Sequence, residues 1–419
     1  MRMSFKGGSL SGSVSSPPSK SHTHRAVFLA SLAQGESRVS NCLISDDILS
    51  TVGAAESMGA AIDRQGDVLL VSGGDLHPPV GVVDAGNSGT TLRMFASIAS
   101  MFEGKTTITG DASLRKRPMG PLLDALGGMG VECSSDGGRP PVEIGGPNRG
   151  GKVSIDGGVS SQFITSLMVV SPMLADGSEI TVEGRMVSKP YLDVTAHIMG
   201  LFGSGVVDDG NVFKVEGGTG YRPYDYVVPA DFSSAAFPLV AGALGGEATV
   251  RGLQMDDPQG DRVIVDILER VGASVSVGGG SVTVRKGELK AADIDIGGCP
   301  DLFPVLAALL CAADGTSRLH GAPQLRFKES DRIRTTVDML RALGADVSGT
   351  EDGCVVRGGG RLAGGTVDNA GDHRIMMAAA VASLLCDDAV IMDNAECCSV
   401  SYPDFPRHMA SLGMDVEVL

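Results

Sequence analysis

Apolar residues gather into six long runs, beginning near Arg25, Thr91, Phe163, Ala235, Phe303 and Arg374 and closing at Gly35, Gly104, Gly177, Gly246, Gly315 and Asp388. Runs of this length, broken by glycine, predict buried helices. A short alternating segment follows each, as at residues 105–109 and 179–183, and predicts a strand. A second series interleaves with the first. An amphipathic run leads to an apolar residue and a glycine, at Met58-Gly59, Met129-Gly130, Phe202-Gly203, Val271-Gly272, Leu343-Gly344 and Leu412-Gly413. Each of these glycines is expected to take the left-handed conformation that closes a helix before a strand. Both series recur at intervals of about seventy residues, the signature of an internal repeat. The unit therefore holds two helices and several strands, and six copies fill the chain.

The apolar runs are too uniformly hydrophobic for a solenoid with one wet face. They are expected inside a globule, with the sheets outside, in an α/β fold. Residues 223–229, rich in Pro and Tyr, lie between the third and fourth units. A break near Pro229 leaves three units on each side. The expected domains are residues 15–228 and residues 229–419, the latter completed by the first strand near residues 1–14.

Composition narrows the function classes. At 419 residues, two or more cores are expected, and 42% hydrophobic with 20% charged residues makes the chain globular. The 59 glycines, about twice the usual share, imply many tight connections. A net charge of −16, 4% aromatic residues and no Trp argue against nucleic acid as the main partner. The eight cysteines form no C-x-x-C pair, so neither a disulfide framework nor a metal site is expected. The N-terminal segment lacks an apolar signal core, and the most apolar stretch, residues 375–385, is too short to span a bilayer. A cytoplasmic protein without membrane association is expected.

Polar residues interrupt the apolar runs at their starts, where free backbone N–H groups and the helix dipole favour anions. Pro18-Ser19-Lys20-Ser21-His22-Thr23-His24-Arg25 precedes a predicted helix at 26–33 and offers two cations with hydroxyls. Gly86-Asn87-Ser88-Gly89-Thr90-Thr91-Leu92-Arg93 lets a ligand approach the backbone. Arg115-Lys116-Arg117-Pro118, Ser160-Ser161-Gln162-Phe163 and Ser188-Lys189-Pro190-Tyr191 complete the first half. Ser233-Ser234-Ala235 repeats the serine arrangement, but there only capping is expected. The second half contributes Asp301 at the start of a helix predicted at 302–313, Lys328-Glu329-Ser330-Asp331-Arg332, and Asp372-His373-Arg374. Each segment alone also fits a plainer reading: a cap, a solvated basic turn or a surface ion network. Together they put Lys20, Arg25, Arg93, Arg117, Lys328, Arg332 and Arg374 at helix entrances in both halves. If the entrances face one another, a cationic cleft for small multiply charged anions results, with Asp301 and Glu329 as acid/base candidates.

At this point the chain resembles the enolpyruvyl transferases, and among them the 5-enolpyruvylshikimate-3-phosphate synthases. The motifs that carry the resemblance are Ser19-Lys20-Ser21 with Arg25, Asp46-Asp47, Asn87-Ser88-Gly89-Thr90 with Arg93, Arg117-Pro118-Met119-Gly120, and Ser160-Ser161-Gln162-Phe163. To these are added Ser188-Lys189-Pro190-Tyr191, Lys328-Glu329-Ser330-Asp331-Arg332 and Asp372-His373-Arg374. They run in the family's order over nearly the whole chain. The resemblance implies an inside-out α/β barrel: two domains, each with three βαβαββ units, helices buried and sheets outside. It implies transfer of the enolpyruvyl group of phosphoenolpyruvate to shikimate 3-phosphate, in the shikimate pathway, without cofactor or metal, by a protein expected to be a monomer.

By the same resemblance, Ser21, Arg25, Ser160, Ser161, Ser188 and Lys328 would hold shikimate 3-phosphate, with Gln162 under its ring and Tyr191 near its phosphate. Lys20, Arg117, Arg332 and Arg374 would hold phosphoenolpyruvate, bordered by Asn87 and Gly89. Asp47, Thr90 and Arg93 fall in the substrate-binding motifs. Asp301, Glu329, Lys20 and His373 are the catalytic candidates: Asp301 as base for the 5-hydroxyl, Glu329 and Lys20 as proton carriers at C3. Gly89 leaves room near phosphoenolpyruvate, which implies sensitivity to glyphosate.

The chain departs from the family in three places. Val400 stands where many relatives have Lys, Gln324 where many have an Asn touching the shikimate phosphate, and His22-Thr23-His24 where small or amide residues are common. UDP-N-acetylglucosamine enolpyruvyl transferase is the nearest alternative. Its members generally carry a reactive Cys or acid in the loop before the Arg-Pro step, and here 110–118 has no Cys. A nucleic-acid end-processing protein, like RNA terminal phosphate cyclase, fits poorly with the acidic charge. A catalytically dead anion-binding scaffold fits poorly with the retained Lys20, Asp301, Glu329 and Arg374.

Overall fold

The computed structural model describes all residues, Met1–Leu419. Twelve α-helices occur: α1 (Lys20–Leu32), α2 (Asp46–Ser57), α3 (Gly89–Ala99), α4 (Gly120–Gly128), α5 (Ser161–Val170), α6 (Pro190–Leu201), α7 (Phe232–Gly245), α8 (Ile264–Arg270), α9 (Phe303–Leu310), α10 (Arg332–Ala342), α11 (His373–Ala382) and α12 (Phe405–Leu412). None is long and apolar enough to cross a membrane. The chain divides into two compact units, Met1–Pro17 with Pro229–Leu419, and Pro18–Val228. Each has its own hydrophobic core.

In the Pro18–Val228 unit the odd-numbered helices α1, α3 and α5 are enclosed. In α1 every residue from His22 to Leu32 is buried, polar ones included. Three four-stranded sheets belong to this unit. The first pairs Gly35–Ser40 antiparallel with Val68–Gly73, which pairs with Ala61–Gln65. Gly104–Thr109 and Ser178–Glu183 are the corresponding inner strands of the other two. Their alternation of buried and exposed positions turns Ile180 and Val182 inward and leaves polar residues outside.

The other unit repeats the plan around α7, α9 and α11, all of whose apolar residues are buried. Helix α7 lies hard against its sheet. A Cβ on Gly242 would stand 2.7 Å from the Ala248 nitrogen and 2.8 Å from the Val284 oxygen, so only glycine permits the approach. The six glycines that follow the amphipathic helices (Gly59, Gly130, Gly203, Gly272, Gly344 and Gly413) all have positive φ, between 86° and 111°, as helix-closing residues.

Along the chain the order is βαβαββ five times and then βαβαβ, the sixth sheet taking its remaining strand from Met3–Lys6, and two other sheets exchange a strand between repeats. Ser13–Ser15 precedes α1 yet pairs parallel with Glu247–Arg251. Tyr226–Val227 precedes α7 yet pairs parallel with Gly35–Ser40. The segment expected as one strand near residues 1–14 is two strands in two sheets. Met3–Lys6 lies between Val390–Met392 and Asp415–Val418, antiparallel to both. Two helix boundaries also differ from expectation. Helix α1 begins at Lys20 rather than at residue 26, because His22, Thr23, His24 and Arg25 are buried polar residues that continue the helix. Asp301 lies in a 3-10 turn, Pro300–Leu302, that leads into α9, and α9 stops at Leu310.

Candidate active site

In the Pro18–Val228 unit, the starts of α1, α3 and α5 carry a connected set of side chains. Lys20, the first residue of α1, places Nζ 2.9 Å from Asp47 Oδ2 on α2. The Asp47 carbonyl accepts from Thr91 Oγ1 at 3.4 Å, which ties this pair to α3. Arg93 on α3 donates from Nη1 to Gln162 Oε1 on α5 at 2.6 Å, and Gln162 Nε2 donates to Thr90 Oγ1 at 3.0 Å. The Arg93 guanidinium also lies 5.2 Å above the centre of the Phe163 ring. Gln162 is thus clamped at both ends of its amide and cannot turn freely. Arg117 is buried, unlike its neighbours Arg115 and Lys116, and donates from Nη2 to Asn87 Oδ1. Asn87 in turn donates to Asp111 Oδ2 at 2.8 Å. Gly89 faces the same cations: a Cβ there would meet Arg117 Nη1 at 2.9 Å and Arg93 Nη1 at 3.4 Å.

Arg25, in the second turn of α1, is buried among neutral oxygens. Its guanidinium donates to Thr195 Oγ1 at 2.8 Å, the Ser21 carbonyl at 2.9 Å and the Tyr191 carbonyl at 3.2 Å. Burial pushes it down to about 10, which still leaves it charged at neutral pH. A buried cation with only dipoles around it favours an anion nearby. Ser160 caps α5, accepting from the Gln162 N–H at 3.3 Å, and Ser161 is the first helical residue. Ser188 is buried with φ +56°, a conformation uncommon for a non-glycine residue. Lys189 pairs instead with Asp193 and Asp208, on the exposed side of α6.

In the other unit an ionic network is built on Asp301. Its Oδ1 accepts from Arg332 Nη1 at 2.8 Å, with Lys328 Nζ at 3.6 Å, and its Oδ2 accepts from Arg374 Nη2 at 2.9 Å. Arg332, 1% exposed, also reaches Glu329 Oε2 at 2.6 Å and Asp372 Oδ2 at 2.8 Å. Burial opposes ionisation of Asp301, but Arg374, Lys328 and Arg332 outweigh it and hold the carboxyl well below the usual range. Arg332 is driven the other way: burial disfavours its charge, and Asp372, Glu329 and Asp301 more than restore it. His373 is buried at the start of α11, its Nδ1 3.9 Å from Asp372 Oδ1. Gln324 lies in the 3-10 turn Pro323–Phe327. It is buried, and neither amide atom has a hydrogen-bond partner within the protein. Val400 ends the 3-10 segment Ala395–Val400 and brings no charge.

Two residues named from the sequence, Asp372 as part of a motif and Ser233 as a cap, do more than was expected of them. Asp372 is fully buried and serves three groups at once: Arg332, Ser330 and the Arg374 backbone N–H that it caps. Ser233 is not merely a cap. The cap of α7 is Asp231, which accepts from the Ser234 N–H at 2.8 Å, while Ser233 Oγ donates to the buried Asp261. Asp261 stands close to Asp256, Asp257 and Arg262 in the sequence and was given no role there, because the Ser233–Asp261 pairing is not visible without the fold.

The family described as EPSP synthase (3-phosphoshikimate 1-carboxyvinyltransferase) matches residues 5–409. A 3-phosphoshikimate 1-carboxyvinyltransferase of Methanocorpusculum labreanum is 49% identical over 422 residues, covering 100% of both chains. One of Methanothermobacter thermautotrophicus is 44% identical over 416 residues, covering 97% of each. The solved EPSP synthase of Acinetobacter baumannii superimposes with a TM-score of 0.81 at 28% identity, covering 100% of both chains. Likeness of sequence and of structure thus runs the length of the molecule, and the chain belongs to the EPSP synthase (3-phosphoshikimate 1-carboxyvinyltransferase) family.

Proposed function

We propose that the protein transfers the enolpyruvyl group of phosphoenolpyruvate to the 5-hydroxyl of shikimate 3-phosphate, releasing phosphate, in the shikimate pathway of aromatic amino-acid biosynthesis. The observation that carries this reading is an ionised carboxylate, Asp301, gripped by Arg332 and Arg374 within a family whose relatives bear that activity in their names. Both substrates are small polyanions, and the buried Arg25, Arg93, Arg117, Arg332 and Arg374 suit them. Lys20, Arg117, Arg332 and Arg374 are assigned to phosphoenolpyruvate, with Asn87 and Gly89 beside it. Ser21, Arg25, Ser160, Ser161, Ser188, Tyr191, Gln324 and Lys328 are assigned to shikimate 3-phosphate. Gln162, clamped by Thr90 and Arg93, is assigned a place under the ring. Asp47 holds Lys20 in position.

In the addition step the 5-hydroxyl oxygen bonds to C2 of phosphoenolpyruvate and passes its proton to Asp301, while C3 gains a proton. In the elimination step the C2–O bond to phosphate breaks and C3 gives a proton back. Glu329 and Lys20 are assigned to the proton at C3. His373 is kept as a further candidate for proton transfer. The arginines neutralise the leaving phosphate and fix the reacting atoms. The chemistry needs no cofactor, and a monomer acting in the cytoplasm is the simplest setting for it.

The test is phosphate release from phosphoenolpyruvate with and without shikimate 3-phosphate, with UDP-N-acetylglucosamine as the control acceptor. Release should require shikimate 3-phosphate. Asp301→Ala should lower kcat by roughly a thousandfold or more while changing KM far less. Turnover retained in that variant would remove Asp301 from the chemistry.

A further inference from the structure

A carboxylate held far below its usual range by three cations stays ionised but is a weak base. If Asp301 takes a proton, something must restore its proton affinity. Asp261 lies in the 3-10 turn Gly260–Val263 and is 2% exposed. Its Oδ2 accepts from Ser233 Oγ at the start of α7, and its Oδ1 is buried without a hydrogen-bond partner. The ionisable groups that act on it come from the elements packed around it. They are Asp301 before α9, Arg374 at the start of α11 and Asp231 capping α7; the Cys299 thiol in turn feels the Asp261 charge. The turn that holds Asp261 and the turn that holds Asp301, Pro300–Leu302, both pack against α7. A buried acid that satisfies only one of its oxygens weakens the core, which makes a purely structural role a poor account of it.

We propose that Asp261 is a positioning residue of the transfer reaction: its carboxyl, held by Ser233 within Coulombic reach of Asp301, carries a charge whose presence or absence sets how strongly Asp301 draws a proton. The inference rests on the reading of Asp301 as the hydroxyl base. When Asp261 is ionised, a second negative charge beside Asp301 offsets part of the pull of Arg374, Lys328 and Arg332, and Asp301 becomes a better base. When Asp261 is protonated, that help is withdrawn. Burial and then Asp301 push Asp261 up, against the opposing influence of Arg374 and the Ser233 hydroxyl, so it gives up its proton at higher pH than an ordinary carboxyl.

The test is the pH profile of kcat at saturating substrates, from about pH 5.5 to 9. In the wild type, kcat should rise as Asp261 ionises. Asp261→Asn should flatten the rise and lower kcat at the alkaline end by about 3- to 10-fold, with KM for both substrates within about twofold. Ser233→Ala removes a hydrogen bond that favours the ionised carboxyl and should move the rise to higher pH. That variant also carries the test if Asp261→Asn fails to fold. Profiles of both variants superimposable on the wild type would overturn the proposal. The coupling has a readout apart from turnover. The Asp261 carboxyl, followed by isotope-edited infrared spectroscopy, should titrate at lower pH in Asp301→Asn, and an unchanged midpoint would also overturn it. Failure of the functional reading looks different: Asp301→Asn would retain turnover whatever Asp261 does.

Discussion

Gly89 is the first residue of α3, and its missing side chain leaves the space that Arg117 and Arg93 occupy. An added methyl would meet the far ends of two flexible side chains rather than backbone, so the helix should survive and the cations should move. Gly89→Ala is therefore expected to raise KM for phosphoenolpyruvate roughly tenfold, leave KM for shikimate 3-phosphate within about twofold, and leave thermal stability nearly unchanged. Steady-state kinetics with each substrate varied in turn would check this; equal rises in both constants would contradict it. At this scale the sequence was informative about the cations, because Lys20 and Arg117 stand in polar turns ahead of helices and Arg374 opens the most apolar run. It was less informative about their partners. Asp372 looked like part of a motif rather than its hub, and Asp261 was given no role, because pairing over 28 positions with Ser233 depends on how helices pack.

Helices α10 and α11 are joined through their first turns. Arg332 on α10 is bound by Asp372, the cap of α11, and both side chains are buried. Removing the acid leaves a buried guanidinium with fewer counter-charges and strips α11 of its cap. Asp372→Ala is expected to cost about 3–5 kcal/mol of stability through the broken pair, and about 1 kcal/mol more through the cap. Urea unfolding would measure it, and a loss below about 1 kcal/mol would mean that the network relaxes around the gap. Helix existence and order were legible from hydrophobic runs and from the closing glycines. Helix starts were not. The pattern counts apolar residues, and the first two turns of α1 hold His22, Thr23, His24 and Arg25, which are buried with partners that include Tyr226, the Ser19 carbonyl, Thr51 and Thr195.

Across the whole molecule the repeat was legible and the strand exchange was not. A seventy-residue period with positive-φ glycines survives any sheet assignment. Strands as short as Ser13–Ser15 and Tyr226–Val227 carry too little pattern to say which inner strand they join. The exchange makes residues 1–17 part of the unit formed by Pro229–Leu419. A chain lacking them should lose amide protection along Val390–Met392 and Asp415–Val418, which Met3–Lys6 separates, while Gly35–Ser40 and Val68–Gly73 keep theirs. Hydrogen exchange followed by mass spectrometry would show it; uniform loss of protection through residues 35–73 would argue that the two units do not hold their structure independently.

The same arrangement bears on how the molecule is born. Met3–Lys6 leaves the ribosome before the rest of its sheet, and one of the strands it must bridge, Asp415–Val418, is made about four hundred residues later. At ordinary elongation rates the nascent N-terminus waits roughly 20–80 s for that neighbour. Throughout that interval its Met3 and Phe5 side chains, buried in the finished protein, have no native place to go. Residues 18–228 can complete their core long before, so the first strand trails from an already folded body as a sticky end, a natural place for a chaperone to hold the unfinished chain.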